Sequence, residues 1–454
     1  MNSKLTNETE IIKNEINENS YGFINYDNES IFAYQKISKL KNLIGIEIIS
    51  KYEHPNFLKF YELSLVDNFL LLRMDLSNQT FKNYCKSINT NLTDKIIQIY
   101  KICKGLVFLH EKNIVHTNIN FESLSISSGN ELIFSDLNKL HRLLKSENGI
   151  EIELSQLNIY TSPNIFIEDD KKYKKSDDVW AFGILMLNIL ESKYENKILS
   201  KDQLVEIYNH KFEKDVIKSY IKKFVEFNLP LDNSKEFVDL ALNIFNKDEE
   251  KRYKMIDILN HNFFSEIKKI DESFHIIQNE SSIRNENIKY CTEFRDQLKL
   301  MIAFLNKNFP EKDIEIFFTV VDLYYKCYGL NKYDEILELY SFCCIFLGFL
   351  YFENNFDFNL IKLDEFSSLD DTKIQEICFQ MIFDLKGIIY TNEPFNHCVY
   401  QEDIDLILED LIMDKNFSYL NFEWKNWEKQ FISNRNDETK IPKEGLKIKD
   451  IIFL

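Results

Sequence analysis

Glycine and proline are scarce in this chain, 10 and 6 among 454 residues, so each one that remains is a stronger local signal than usual. No Cys-x-x-Cys pair occurs among the eight cysteines, and no histidine cluster has zinc-ligand spacing, which argues against a structural zinc site. The stretch MNSKLTNETE at the amino terminus has no apolar signal core. The longest apolar run, 342–352, is too short to span a bilayer and reads as a buried helix. A basic surplus is missing too. Net charge is −18, with −12 from residues 281–454 and −6 from residues 1–280. Neither part offers the positive field that nucleic acid or an anionic membrane attracts, so neither is an expected partner. The cysteines sit mostly in apolar surroundings, and the expectation is buried free thiols in a cytoplasmic or other intracellular, reducing compartment.

What is present is apolar and aromatic: 44% and 14% of residues, ample for a large core. Phe (38) and Tyr (23) abound beside Ile, Asn and Lys, a skew that follows AT-rich codons. A length of 454 residues favours two domains. Residues 21–36 and 56–76 read as short strands broken by Asp-Asn and Asn-Glu turns. Between them NLIGIEIISKYEH (42–54) has helical spacing at Leu43, Ile46 and Ile49. From residue 94 onward helices dominate, which gives a small β-rich lobe followed by a larger α-rich one. The polar stretch 267–289 is the best boundary, and beyond it the pattern is almost purely helical to about residue 431. The division expected is a tail (1–11), a first domain (12–270), a linker (271–290), a helical domain (291–431) and a second tail (432–454).

The polar residues of HEKNIVHTNINFESLSISSGNELIFSDLN (110–138) are set in short apolar strands, with a Ser128-Gly129-Asn130 turn. HTNINFES (116–123) followed by SDLN (135–138) resembles the catalytic loop and metal-binding triplet of eukaryotic protein kinases, H-R-D-L-x-x-x-N and D-F-G. Other landmarks fall in order. INENSYGFI (16–24) is similar to the phosphate-covering loop, FAYQKI (32–37) to V-A-I-K-K-I, YEHPNFLKFYE (52–62) to the turn after helix C, and LLLRMDL (70–76) to the hinge. YTSPNIF (160–166), DDVWAFGILML (177–187) and EEKRYKMIDILNHNFF (249–264) complete the series. The resemblance implies an α+β, bilobal protein-kinase-like fold with a β-rich N-lobe and a helical C-lobe.

Carried over position by position, the resemblance implies depleted chemistry. Phosphoryl transfer rests on a strand lysine, metal-binding Asp and Asn, and a catalytic Asp. Here the lysine position holds Gln35, and strand alternation turns Lys36 to the other face unless a bulge intervenes. The helix glutamate falls on Gly45, with Glu47 off-face. Asn118 stands at the catalytic aspartate, Asn120 at the loop lysine and Ser123 at the second metal ligand. Asp136 alone keeps its charge as a metal ligand, a thin site for Mg²⁺. For a nucleotide, the resemblance assigns Ile16 and Gly22 to the phosphate-covering loop, Ile24 and Ala33 to the roof, Met74, Asp75 and Leu76 to the hinge and Ser125 to the floor. The expectation is no intact catalytic set, with ATP and Mg²⁺ bound weakly or not at all. The large-lobe anchors Asp178, Trp180, Gly183 and Arg252 are kept, but the glutamate expected to meet Arg252 is Asn164. A substitute acid nearby, or partial solvent exposure, is therefore predicted for that arginine.

The helical domain reads as a bundle whose central member is SFCCIFLGFLYF, apolar all round. Its order also resembles an all-α cyclin box, with Leu350 where a lysine is typical and Glu353 kept from an acid pair. YQEDIDLILEDLIMD (400–414) reads as an acidic amphipathic helix. The function expected is a scaffold or regulator that engages a protein partner: a kinase or cyclin of another chain, or a basic protein surface. The alternative is an active Ser/Thr kinase with displaced chemistry. The codon signature fits a large DNA virus or a similarly biased microbe.

Overall fold

The computed structural model describes residues 21–26, 30–37, 43–66, 69–75, 77–87, 92–127, 131–137, 139–144, 149–151, 160–162, 165, 172–191, 214–228, 231–246, 248–270, 277–278, 292–328, 337–353, 371–387 and 389. Four strands, β1 (Tyr21–Tyr26), β2 (Ser30–Ile37), β4 (Phe60–Val66) and β5 (Phe69–Asp75), form an antiparallel sheet in the order β1-β2-β5-β4. Helix α1 (Leu43–Lys51) is inserted after β2 and ends at the two-residue strand β3 (Tyr52–Glu53). Period-two alternation in β2 and β5 gives each strand a face toward α1 and a face away from it. The β2–β5 register runs unbroken from Phe32 opposite Asp75 to Ile37 opposite Leu70. The register irregularity in this sheet lies in β4, between Phe60 and Glu62.

Below the sheet, β6 (Ser77–Thr80) and α2 (Phe81–Ser87) lead into the long helix α3 (Leu92–Glu111). The short strands β7 (Ile114–Val115), β8 (Leu124–Ser127), β9 (Leu132–Phe134) and β10 (His141–Arg142) follow. β8 pairs with β9 as the hairpin read from the sequence, whereas Ile114 and Val115 belong elsewhere and pair with β10. After β11 (Ile150–Glu151) and β12 (Lys172–Tyr173), α4 (Lys175–Leu190) runs through the lobe with 13 of its residues buried. The lobe closes with α5 (Lys214–Asn228), α6 (Leu231–Ile244), α7 (Met255–Leu259) and α8 (Ser265–Ile270).

The segment expected to be a linker is more than a tether. Its residues β13 (Ile277–Gln278) pair antiparallel with β3, so the chain leaving the large lobe is stitched back to the small one. Next come α9 (Thr292–Asn308), α10 (Ile314–Tyr328), α11 (Leu337–Phe352) and α12 (Asp371–Asp384). Every residue of α11 from Leu339 to Phe352 is buried, and α9, α10 and α12 all pack on it. It is the central helix that an apolar surface on all sides requires. Leu350 is buried within this bundle, and Glu353 pairs with Lys312. The acidic stretch 400–414 lies outside the described residues.

One continuous apolar core runs from the small sheet through α3 and α4 into α10, α11 and α12. All nine residues of α1 are buried. A surface helix normally keeps a wet face. Here that face is covered by the helical domain, because α11 packs on α1 while α12 packs on β4 and β5. Among the described residues no helix is long and apolar enough to cross a membrane.

Candidate functional site

The loop after α3 is held by one carboxylate. Asp178, fully buried on α4, accepts hydrogen bonds from the backbone N–H of His116 (2.8 Å) and of Thr117 (3.1 Å) and from the Tyr173 hydroxyl (2.8 Å), and its Oδ2 lies 3.0 Å from His110 Nε2. Burial alone would raise this carboxyl, but the hydrogen bond from His110 and the nearby imidazoles outweigh it and hold it below its ordinary value. Thr117 has φ +57°, an unusual backbone for a β-branched residue. Its hydroxyl donates to the Lys139 carbonyl at 2.7 Å, so both sides of the strained residue are tied down.

Beyond Thr117 the side chains lock to one another. Asn118 Nδ2 donates to Asp136 Oδ2 at 3.0 Å, and Asn120 Nδ2 donates to Asn118 Oδ1 at 3.0 Å. Asn120 Oδ1 in turn accepts from the backbone N–H of Glu122 and of Ser123. The Ser123 hydroxyl accepts from the Asn120 N–H (3.2 Å) and donates to the Asn120 carbonyl (2.9 Å), closing a capping box around the turn 121–123. Ser125 Oγ, buried on β8, donates to Ser135 Oγ at 2.8 Å. The structure thus brings Asn118, Asn120, Ser123 and Asp136 together. In this network an amide rather than a carboxylate stands beside Asp136, and Ser123 serves the turn.

On the small lobe Gln35 is buried and lines a narrow cavity of ≈ 20 Å³ with Ile37, Gly45, Ile46, Ile49, Leu58, Leu72, Met74, Ser135 and Leu137. That is room for about one water. Lys36 lies on the opposite face, its ammonium 4.6 Å from the centre of the Phe69 ring. The unbroken β2–β5 register supplies no bulge to turn it inward. Gly45 faces Leu137 so closely that a Cβ there would sit 2.7 Å from the Leu137 carbonyl oxygen. Glu47, two residues on, points away from the cleft to Arg142, 3.5 Å distant.

Met74 is buried in β5, opposite Ala33, and Asp75 Oδ1 accepts from the Tyr61 hydroxyl at 2.7 Å. Gly22, Ile24 and Ala33 are placed by their backbone in β1 and β2. Ile16 and Leu76 lie outside the described residues.

These residues are a poor fit to Mg²⁺ and to nucleotide phosphates. Magnesium is normally held by carboxylates with phosphates and water. Here Asp136 is engaged by an amide and Ser123 Oγ by the Asn120 backbone. The cavity wall behind Gln35 contains no cation. Among the described residues no group of three or more His, Cys, Asp or Glu could hold a metal ion.

Arg252, buried on the large lobe, is satisfied mostly by backbone. It donates to the carbonyls of Ser176 (2.7 Å) and Asn246 (3.2 and 3.1 Å). The predicted substitute acid is Asp177, 4.0 Å away. Asn164 itself lies outside the described residues. Sequence reasoning missed the partnership of Glu47 with Arg142. The available signal was an acid within the apolar run NLIGIEII, which a buried helix would keep only beside a cation.

A family model described as "Protein kinase domain" matches residues 21–264, just over half of the chain. The chain belongs to the protein kinase family. It is similar to the Cyclin-dependent kinase-like 2 of Oryctolagus cuniculus, 23% identical over 280 residues, 55% of this chain and 49% of that one. It is 25% identical over 219 residues to the Aurora kinase of Dictyostelium discoideum, covering 48% of this chain and 52% of that protein. With the Serine/threonine-protein kinase PLK4 of Nematostella vectensis it shares 23% identity over 225 residues, 48% of this chain and 21% of the relative. The chain spans about half or less of the length of these three curated relatives.

Proposed function

We propose that this protein is a catalytically impaired kinase that acts as a scaffold or regulator through its kinase domain and a cyclin-like helical domain. The observation that carries the reading is the Asn118–Asp136 hydrogen bond, at 3.0 Å. By the kinase resemblance Asn118 stands at the catalytic aspartate, and an amide has no useful basicity for general-base assistance, which is worth about 10²–10⁴ in rate. Three features support it further. Gln35 supplies no charge to phosphates, Gly45 leaves no acid to orient such a charge, and Ser123 Oγ is committed to its own turn. ATP and Mg²⁺ then bind weakly or not at all. The partner is a protein, either a kinase or cyclin of another chain or a basic surface drawn to the acidic chain, rather than nucleic acid or a membrane.

The test is incubation of the purified full chain with Mg²⁺, radiolabelled ATP and a generic protein substrate. Transfer no greater than that of Asp136→Ala is expected. Transfer at an ordinary kinase rate, abolished by Asp136→Ala, would support the second reading, an active Ser/Thr kinase. That reading is favoured by the retained Asp136 and by the kinase names of the relatives.

A further inference from the structure

We infer that the helical domain is a built-in clamp on helix α1, with Arg142 as its latch. This holds whether or not the cleft transfers phosphate.

Arg142 lies on β10, six residues after Asp136, and is buried with three separate partners. Its Nε donates to the Tyr351 hydroxyl of α11 at 3.0 Å, across 209 residues of sequence. Its Nη1 donates to the Lys112 carbonyl at the end of α3 at 2.8 Å, and its Nη2 lies 3.5 Å from Glu47 of α1. The guanidinium also sits 5.4 Å from the centre of the Tyr351 ring. Glu47 acts on the Tyr351 hydroxyl as well, raising it, so the three side chains form one interacting group around Arg142. One planar fork therefore binds α1, the large lobe and the helical domain together, a task that a point-charge lysine would fill poorly.

Two further observations place the clamp over the whole helix. Gly387, just past α12, has φ +77°, and a Cβ there would meet Ile46 Cγ2 and Ser50 Oγ at 2.8 Å. The backbone of the helical domain thus lies directly on the outer face of α1. The inner face of the same helix is pressed on Leu137 through Gly45. Held on both sides, α1 is confined to one position, and the ≈ 20 Å³ cavity behind Gln35 stays closed. Because β10 follows Asp136 in the chain, the position of α1 and that of the segment after Asp136 are set by one side chain. A separate cyclin-like partner has no access to this face while the chain's own domain occupies it.

Glu47, between Arg142 and Tyr351, also feels Lys51, whose ammonium is lowered by burial and then by Lys326, Arg142 and Lys112. Removal of Arg142 leaves Glu47 buried with its charge only partly balanced, so the helix is expected to loosen rather than settle elsewhere.

Hydrogen exchange read by mass spectrometry on the full chain tests the clamp. Tyr351→Phe removes one hydrogen bond to a charged group, and an exchange increase of about tenfold or more is expected in peptides covering 43–51. The peptides of 141–142 and 371–387 should respond in parallel, while α3 and α4 keep their protection. Gly387→Ala, a wedge that leaves these polar contacts intact, should give the same pattern. Arg142→Lys should fall between Tyr351→Phe and Arg142→Ala. Exchange that rises only beside each substituted residue, or evenly throughout the chain, would overturn the inference. So would protection of 43–51 unchanged in both Tyr351→Phe and Gly387→Ala.

Discussion

Gly45 meets Leu137 where a side chain cannot fit: a Cβ on the glycine would lie 2.7 Å from the leucine's carbonyl oxygen. The close approach leaves Gly45 and Leu137 together on the wall of the small cavity that Gln35 lines. A first expected outcome concerns this contact. Gly45→Ala gains helix propensity of about 1 kcal/mol, but overpacking against a backbone oxygen costs about 1–3 kcal/mol. Chemical denaturation should show net loss of stability, and an alanine variant more stable than the parent would refute the contact.

Restoring a carboxylate beside Asp136 should not by itself restore an enzyme. Asn118→Asp puts two carboxyl groups about 3 Å apart, the distance now spanned by the amide. One of them then holds a proton at neutral pH or recruits a cation. The melting temperature of the parent is expected to be indifferent to millimolar Mg²⁺, while that of Asn118→Asp rises with Mg²⁺ by ligand linkage. Equal shifts in both proteins would remove this account of the site.

Acid should weaken the protein through His54. Its Nδ1 accepts from the Asn56 N–H at 3.1 Å, and its ring packs against Phe57 and Phe108. Burial and then the charge of Lys104 lower it to about 4. The unfolded chain takes up this proton at a higher pH than the folded one, so stability is whole above the ordinary histidine value and drains as pH falls from there toward 4. At pH 5 the loss is about 1–2 kcal/mol from this group. An NMR titration should find His54 neutral at pH 5; a midpoint near 6.5 would contradict it.

Asp177 works the other way. Burial raises its carboxyl to about 6 despite the Lys174 N–H and Ser162 that bond to it and the nearby Arg252. A raised carboxyl favours the folded state at low pH, and the advantage is lost as pH rises through about 6. Asp177→Asn should flatten the stability profile between pH 4 and 7, as read by urea unfolding at several pH values. A parent profile that does not depend on residue 177 would count against this.

Asp178 is the opposite case on the next residue, lowered below the ordinary value and bonded four ways. Asp178→Asn is expected to cost about 3–5 kcal/mol, since His110, Tyr173 and two backbone N–H groups lose a buried charge. Differential scanning calorimetry should show a large fall in melting temperature. A change within error of the parent would mean that the loop is fixed by something else.

The kinase fold was legible because its anchors are local patterns in a fixed order: strand alternation around Gln35, the spacing of α4, and the turn that opens at His116. Alternation also told Gln35 from Lys36. Other features depend on three dimensions. Whether Ser123 faces a cleft or caps its own turn rests on one rotamer, and the Arg142–Tyr351 contact joins residues 209 apart. The pairing made by the polar stretch after the large lobe was hidden for a related reason. Polar composition marks a boundary, but it does not reveal that Ile277 and Gln278 have a sheet edge to meet in Tyr52 and Glu53.

That small pairing bears on how the kinase half can be handled. The family match ends at residue 264, before β13, so cutting there would discard the thread that returns to the upper lobe along with the bundle over α1. Ile46 and Ser50 would then be bared to water on one side. The excised half would be a sticky fragment rather than an autonomous unit, and the natural module for biochemistry is the two halves kept in one piece.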